Sequence, residues 1–566
     1  MPPLRSPPVL ADPFYYLTNF LSVLVSIEQK YARLLSTEEH GFIAAFRALP
    51  RPSAAILVRM VMRKGWTFRL SRLNYPEIGG TESAVRALVA LGWVDATPLL
   101  NLDELQALLT KDELLAHVGQ SRLARRFNKP DLVAFLRAQR PESQAYRAWC
   151  PTSDDRVFRL RIEPLCERLR LLFFGNFHQD FSEFVLADLK VFAYERVPAS
   201  LHSAPFRTRA HIEAFERLFR CARALADGAP IDAVTADLPA ALEDNDWLED
   251  RRQALLFEIA AISERRGDPA AALRLLERCT HRGARLRRIR LYERKGDWSA
   301  ARDLCLAVHE GPASPAEAQQ VARVLPRLRR KLGVAACAPT EPAAPGRCTV
   351  PSFAIEVDAP PARRGIELRV RDRLARESGG LSSVHYVENG LVSSLFGLLC
   401  WRAIFAPISG AFFHEFHQAP VDLTSGRFIE RRRAEFAECL AELESGRYLA
   451  TVRATFVAKR GLQSPFVAWR LLTRRLLEEA LTCVPPAHFR LWFEWILRDV
   501  SVNRAGFPDL VQFWPQERRY RLVEVKGPGD RLQDNQRRVL ELCLSHGLPV
   551  AVCQANWRAT HEDMRA

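Results

Sequence analysis

Between Pro508 and Gln536 the chain reads PDLVQFWPQERRYRLVEVKGPGDRLQDNQ. Asp509 precedes the apolar run LVQFW, a charged turn follows at Pro515 to Arg519, and a second strand-like run, YRLVEVK, carries Glu524 and Lys526. Strand side chains alternate, so Glu524 and Lys526 share a face and Val525 turns to the core. A hairpin would return that strand beside the one starting at Asp509. Two carboxylates and an amine would then converge at a strand end, a set suited to hard-metal chemistry on a phosphodiester. Oxygen ligands hold Mg²⁺ or Mn²⁺, while an ammonium orients the attacking water or steadies charge on phosphorus. The competing reading is an exposed hairpin with an ordinary Glu/Lys pair.

Two details favour the first reading. Only nine of the 81 basic residues are lysines, so Lys526 departs from the chain's habit of using arginine. A compact amine able to approach a metal-held water is not replaceable by a planar guanidinium. The sequel, GPGDRLQDNQRRVLELCLSHGLPVAVCQ, reads as turn, amphipathic helix, glycine stop at Gly547 and apolar strand. With these parts the stretch resembles the PD-(D/E)xK nuclease motif, and more closely its VRR-NUC form. Pro508-Asp509 stands for PD, Glu524-Val525-Lys526 for ExK, and Gln536 for a glutamine on the following helix.

The elements that must position this stretch come from a chain of 566 residues, long enough for three or four domains. Its 48% hydrophobic and 26% charged content is that of a soluble globular protein. A net charge of +15 and a pI near 9.5 favour a polyanionic partner. The twelve cysteines include no CxxC and no zinc spacing, and are expected reduced and mostly buried. There is no signal-peptide pattern and no run near the roughly 20 apolar residues of a membrane span. The expected setting is cytoplasmic and nucleoid-associated, with no membrane contact.

Residues 14–48 are helical in period, and 49–94 read as helix, basic turn, strand-like WTFRL and helix, a small mixed α/β block. The turn holding Arg59, Arg63 and Lys64 reads either as DNA-facing or as solvated. Its VRMVMRKGW and YPEI elements resemble the N-terminal region of the Fanconi-associated nuclease family. Residues 101–138 read as short helices flanking a loop with Arg122, Arg125, Arg126 and Lys129, an arrangement resembling a SAP-like DNA-backbone module. From 145 to 335 the pattern is helical, with an echo between RRGDPAAALRLLE at Arg265 and RKGDWSAARDLCL at Arg294 that looks like degenerate TPR repeats. Between the echoes, Arg282, Arg285 and Arg288 would line a ridge for a duplex backbone or a solvated helix face. Residues 336–364 are rich in Pro and Ala and read as a linker with a strand at Phe353 to Val357.

Past the linker, VHYVENGLVSSLFGLLCW sets Glu388 at the entry of a helix with a core-like leucine pattern. This resembles the Fanconi-associated nucleases, where the resemblance implies that a glutamate before an LFGLLxW helix is a metal ligand; the helix macrodipole offers the plainer account of an acid there. Residues 406–500 read as a helical insertion whose AP-x-DL element, Ala419 to Leu423, also matches the family. The expected fold is multidomain and mostly α, with a C-terminal α/β PD-(D/E)xK (VRR-NUC) nuclease domain carrying that insertion. The expected order is a DNA-facing α/β domain at 1–95, a SAP-like hairpin at 96–144, TPR-like helices at 145–335, the linker at 336–364 and the nuclease at 365–566.

The resemblance implies a structure-specific nuclease for 5′ flaps and branched DNA, with 5′-to-3′ trimming, acting in interstrand cross-link repair. Glu388, Asp509, Glu524 and the Val525 carbonyl would hold one or two Mg²⁺ or Mn²⁺ ions, Lys526 would orient the water, and Gln536 would help position it. A Holliday-junction resolvase-like enzyme and a catalytically silent scaffold for branched DNA are the alternatives.

Overall fold

A computed structural model of the chain describes residues 12–117, 127–139, 142–188, 191–198, 204–334, 350–357 and 365–557. It divides into two units, Met1–Ala193 with Ala199–Arg209, and Tyr194–Pro198 with Ala210–Ala566.

The first unit begins with helices Tyr15–Tyr31, Thr37–Ala48 and Arg51–Val61. Ser36 starts the second by a capping box, accepting from Glu39 N–H while the Glu39 carboxylate accepts from Ser36 N–H at 2.7 Å. The WTFRL run forms a strand, Thr67–Arg69, as its pattern predicts. It lies at one edge of a three-stranded antiparallel sheet whose middle strand is Val157–Leu160 and whose other edge is Val94–Asp95. The block expected to close at residue 95 therefore borrows its central strand from beyond the next module. That module has helices Leu102–Leu108, Lys111–His117 and Lys129–Gln139. Leu105, Leu114, Leu132 and Leu136 pack with Trp149, whose indole N–H donates to the Leu100 carbonyl at 2.8 Å.

In the second unit the sequence echo is a repeated turn. Asp268 caps helix Pro269–Glu277 by accepting from Ala271 N–H at 2.8 Å, and Asp297 caps Trp298–Glu310 through Ala300 N–H at 3.1 Å. Ala272 and Ala301, equivalent positions in the two echoes, are fully buried.

The sheet-bearing lobe is labelled from its first strand: β1 (Ser352–Val357), α1 (Ile366–Glu377), β2 (Ser383–Tyr386), α2 (Gly390–Leu399), α3 (Arg433–Ser445), α4 (Tyr448–Ala458), α5 (Arg474–Cys483), α6 (Pro486–Arg498), β3 (Leu510–Trp514), β4 (Arg519–Lys526), α7 (Asp534–Ser545) and β5 (Val550–Trp557). The strand order is β1-β5-β4-β3-β2, with β5 parallel to both neighbours and the hairpin side antiparallel. The strand expected inside the linker is thus β1, an edge of the nuclease sheet, and the sheet reaches back across the Pro/Ala-rich segment to take it.

Alternation along the strands makes two faces. Val523 and Val525 of β4 pack with Val370 and Leu374 of α1. Tyr520 and Leu522 pack on the other side with Val539 and Leu540 of α7 and with the aromatic residues of α6. The insertion helices join α2 in that second core, which includes Phe396, Phe436, Phe456, Trp492 and Phe493. The glycine in LFGLL, Gly397, is where the 466–467 segment crosses: a Cβ there would lie 2.7 Å from Phe466 Cβ. The AP-x-DL element serves this core too. Asp422 pairs with Arg432, which is wholly buried, through contacts of 2.9 and 3.1 Å.

The ten described cysteines are free and buried. Among the described residues, no helix is long and apolar enough to cross a membrane.

Candidate active site

The site forms where the β3–β4 hairpin meets the turn after β2. Leu510 opposes Val523 in the antiparallel register, so Asp509, one residue before β3, comes beside Glu524 and Val525. Val525 N–H donates to Asp509 Oδ2 at 2.9 Å. The Asp509 carbonyl in turn accepts from Val387 N–H at 2.7 Å and from Glu388 N–H at 3.2 Å, carrying the β2–β3 pairing one step further. A second tie lies just behind: the Asn389 side-chain oxygen accepts from Gly506 N–H at 2.6 Å and Phe507 N–H at 3.0 Å. Asn389 adopts φ 52°, in the left-handed region that asparagine tolerates better than most residues. Gly506 admits no side chain here, because a Cβ would lie 2.6 Å from the Asn535 backbone.

Lys526 and Glu524 emerge on one face of β4, as the alternation predicts, and both are buried. The Lys526 ammonium lies 2.8 Å from Glu524 Oε1, and it donates to Gln536 Oε1 at 3.0 Å. The same Gln536 oxygen accepts from Gln533 N–H at 2.9 Å in the capping box that starts α7. Gln536 thus couples the helix start to the ammonium.

Burial pushes the Asp509 carboxyl up to about 6; the Val525 N–H opposes this, and the Glu367 and Glu388 carboxylates add to it. Glu524 is pushed up to about 7, by burial first and then by Asp509. Two groups that sequence reasoning passed over act here. The Tyr386 hydroxyl donates to Glu388 Oε2, and burial together with that carboxylate holds the phenol well above its usual range. Glu367, on the first turn of α1, raises the Asp509 carboxyl, as just described. Tyr386 was legible as the residue two before Glu388 on the same strand face; Glu367 was legible only as an acid at a helix start.

The fit to a divalent cation rests on Glu524. It is 0% exposed, with the Lys526 ammonium 2.8 Å from Oε1, while Oε2 has no hydrogen bond among the described residues. One ammonium leaves the second oxygen of this buried carboxylate, and its repulsion from Asp509, uncompensated, which a divalent cation would relieve. Among the described residues no three His, Cys, Asp or Glu side chains close tightly enough to hold a metal as they stand. Glu388, hydrogen-bonded by Tyr386, still lies near enough to raise the carboxyls of both Asp509 and Glu524.

The basic residues singled out for DNA have varied surroundings. Arg63 donates to the Arg72 carbonyl at 2.7 Å, and Lys64 is exposed beside it. Arg59 pairs with Glu77 at 2.6 Å under the Tyr16 ring. Arg122, Arg125 and Arg126 lie outside the described residues. Lys129 donates to the Leu109 carbonyl at 2.7 Å, closing its helical hairpin. The expected arginine ridge remains at least partly exposed but is engaged in contacts within the chain. Arg282 meets Asp499 at 3.2 Å, and Arg285 meets Glu317 and the Gly311 carbonyl. Arg288 buries its Nε without a hydrogen bond. Contact of Arg282 or Arg285 with a phosphate would require these links to open.

The sequence matches the family profiles described as VRR-NUC domain over residues 443–557, FAN1 HTH domain over 14–95 and Fanconi anemia-associated nuclease SAP domain over 99–149. It is 49% identical to the Fanconi-associated nuclease 1 homolog of Pseudomonas aeruginosa over 559 residues, covering 98% of each chain. It is 23% identical to the Arabidopsis thaliana homolog over 610 residues, covering 95% of this chain and 66% of that one. Two crystal structures of paFAN1, bound to 5′ flap DNA with a gap and flaps of 2 nt and 1 nt, superpose with TM-scores of 0.90 and 0.88 at 48% identity. They cover 98% and 97% of this chain and 100% of theirs.

Proposed function

The chain belongs to the Fanconi-associated nuclease family, and on that premise we propose that it is a structure-specific nuclease cutting 5′ flaps and branched DNA, with 5′-to-3′ trimming, in interstrand cross-link repair. It is a hydrolase of DNA phosphodiester bonds, and its family depends on a divalent metal. The ion is Mg²⁺ or Mn²⁺, held by Glu388, Asp509, Glu524 and the Val525 carbonyl. These hard oxygen donors suit either ion. Such an ion supplies charge neutralisation at the scissile phosphate and a lowered pKa for water.

Lys526 orients the attacking water and Gln536 fixes the ammonium. Water oxygen bonds to phosphorus, the phosphorus–3′-oxygen bond breaks, and the 3′-oxygen leaves with a proton. The products are a 5′-phosphate and a 3′-hydroxyl. Cytoplasmic, nucleoid-associated work on DNA suits the basic charge.

The observation that supports this reading most is the buried Glu524 carboxylate, with Lys526 at one oxygen, no hydrogen bond at the other, and Asp509 beside it. The test is cleavage of a 5′-flap duplex by Asp509→Ala and Glu388→Ala proteins with Mg²⁺, with Mn²⁺ and with neither. Loss of cutting with retained DNA binding is expected; cutting near the parent rate by either variant would reject the assigned ligands.

A further inference from the structure

On the far side of Glu388 from Lys526, the outer edge of the sheet opens into a groove of about 460 Å³. Its floor is β2, the edge strand, with His385 and Tyr386 exposed to the groove; one wall is α1 at Leu368 and Arg371, and the other is the segment with Arg470 and Leu471. The groove adjoins the candidate active site directly. Tyr386, which lines it, donates to Glu388. The Leu471 wall abuts the turn after Glu388, since a Cβ on Gly390 would lie 3.2 Å from Leu471 Cδ1.

Its charge is opposite to that of the site beside it. Among the described residues no Asp or Glu lines the groove, whereas two arginines do. Arg470 is exposed and makes no ion pair or hydrogen bond among the described residues. Arg371 is held only by its sequence neighbour Asp372, with Nε at 2.8 Å from that carboxylate. The nearest acid on the α5 side, Glu479, is already engaged by Ser383, His385 and Arg475. A polyanionic strand reaching a site of clustered carboxylates needs cations beside it, and guanidinium groups pair with phosphate in two-pronged fashion.

We propose that this groove is a phosphate subsite for the DNA strand next to the scissile phosphate, with Arg470 and Arg371 gripping one backbone phosphate from opposite walls. The proposal rests on the nuclease reading and adds a substrate contact outside the metal-ligand set. Arg470 extends from a turn and Arg371 from helix α1, on the two walls beside β2.

The test uses full-length Arg470→Ala, Arg371→Ala and Arg470→Lys proteins, with Lys526→Ala run alongside. The substrates are a 5′-flap duplex and a set in which single phosphates near the cut are replaced by neutral methylphosphonates. Arg470→Ala is expected to raise Kd about 5- to 10-fold, lower the slope of log Kd against log salt by about one, and leave kcat within twofold. Arg470→Lys should keep the salt slope and recover part of the affinity. At one phosphate position, neutralisation should weaken the parent but not Arg470→Ala. If no position shows that coupling, or Kd and slope are unchanged, the subsite is rejected while loss of cutting in Lys526→Ala leaves the nuclease reading standing. If Lys526→Ala still cuts, the assigned active site fails; if the parent protein does not cut, it is the nuclease reading that fails.

Discussion

The backbone N–H of Glu388 donates to the carbonyl of Asp509 at 3.2 Å. Beside it, Asn389 holds Gly506, 117 positions away in sequence. The third acid of the site therefore arrives by backbone hydrogen bonding rather than by side-chain attraction, which like charges would oppose. A sheet edge can hold mutually repelling carboxylates in place because the ladder contributes independently of their charge.

Lys526 tests the catalytic half of the site. Its ammonium is fixed by Gln536 at 3.0 Å inside a buried strand end. Lys526→Ala is expected to reduce single-turnover cleavage of a 5′-flap duplex by at least about 100-fold while Kd for the flap stays within about threefold. Lys526→Arg should not restore it, because the guanidinium is larger and planar. Cutting by Lys526→Arg near the parent rate would remove the amine from the mechanism.

The pH dependence follows from Asp509 at about 6 and Glu524 at about 7, both above their ordinary carboxylate values. A raised carboxyl favours the protonated folded state. Its contribution to stability is therefore complete below the unfolded value near 4 and is lost as pH rises through 6 and then 7. A divalent ion needs both groups deprotonated. The apparent metal affinity is thus expected to be flat above about pH 7, to fall about tenfold per pH unit between 7 and 6, and to fall more steeply below 6. Calorimetric titration of Mn²⁺ across pH 5.5–8 checks this, and an affinity independent of pH below 7 would contradict it. Metal should also raise Tm more at pH 8 than at pH 6.

Tyr386 tests what holds the Glu388 carboxylate in place. Its hydroxyl donates to Glu388, an exposed bond worth about 1 kcal/mol or less. Tyr386→Phe frees the carboxylate and is expected to tighten Mn²⁺ binding about 3- to 10-fold without changing Tm by more than a degree or two. Weaker binding in Tyr386→Phe would mean that the tyrosine orients Glu388 toward the ion instead.

Asp422 tests the insertion. It offsets the charge of Arg432, whose side chain is 0% exposed, and it also meets Arg431 at 2.8 Å. Asp422→Ala leaves a buried unpaired guanidinium and is expected to destabilise the lobe by about 3–5 kcal/mol. A drop in Tm of several degrees, with far less soluble protein, is the readout. A Tm within a degree of the parent would show that water reaches Arg432.

The sequence by itself determined much of the chemistry, because that depends on local rules. Strand alternation put Glu524 and Lys526 on one face, turn residues made the hairpin that returns Asp509 to them, and the amphipathic pattern up to Gly547 marked the next helix. The Gly-Asp echo was likewise legible, since it is a short-range demand on a turn and cap, whereas the glycine in LFGLL answers to the 466–467 segment that crosses it. What tertiary structure alone decided is everything set by partners distant in the chain. It assigned β1 to the nuclease sheet, drew Arg282 and Arg285 into internal ion pairs, turned Glu388 onto Tyr386, and brought Glu367 within electrostatic reach of Asp509. An arginine or a glutamate reads the same in sequence whether its partner is a phosphate, a metal or a neighbouring side chain; which one it meets depends on where the rest of the chain folds back.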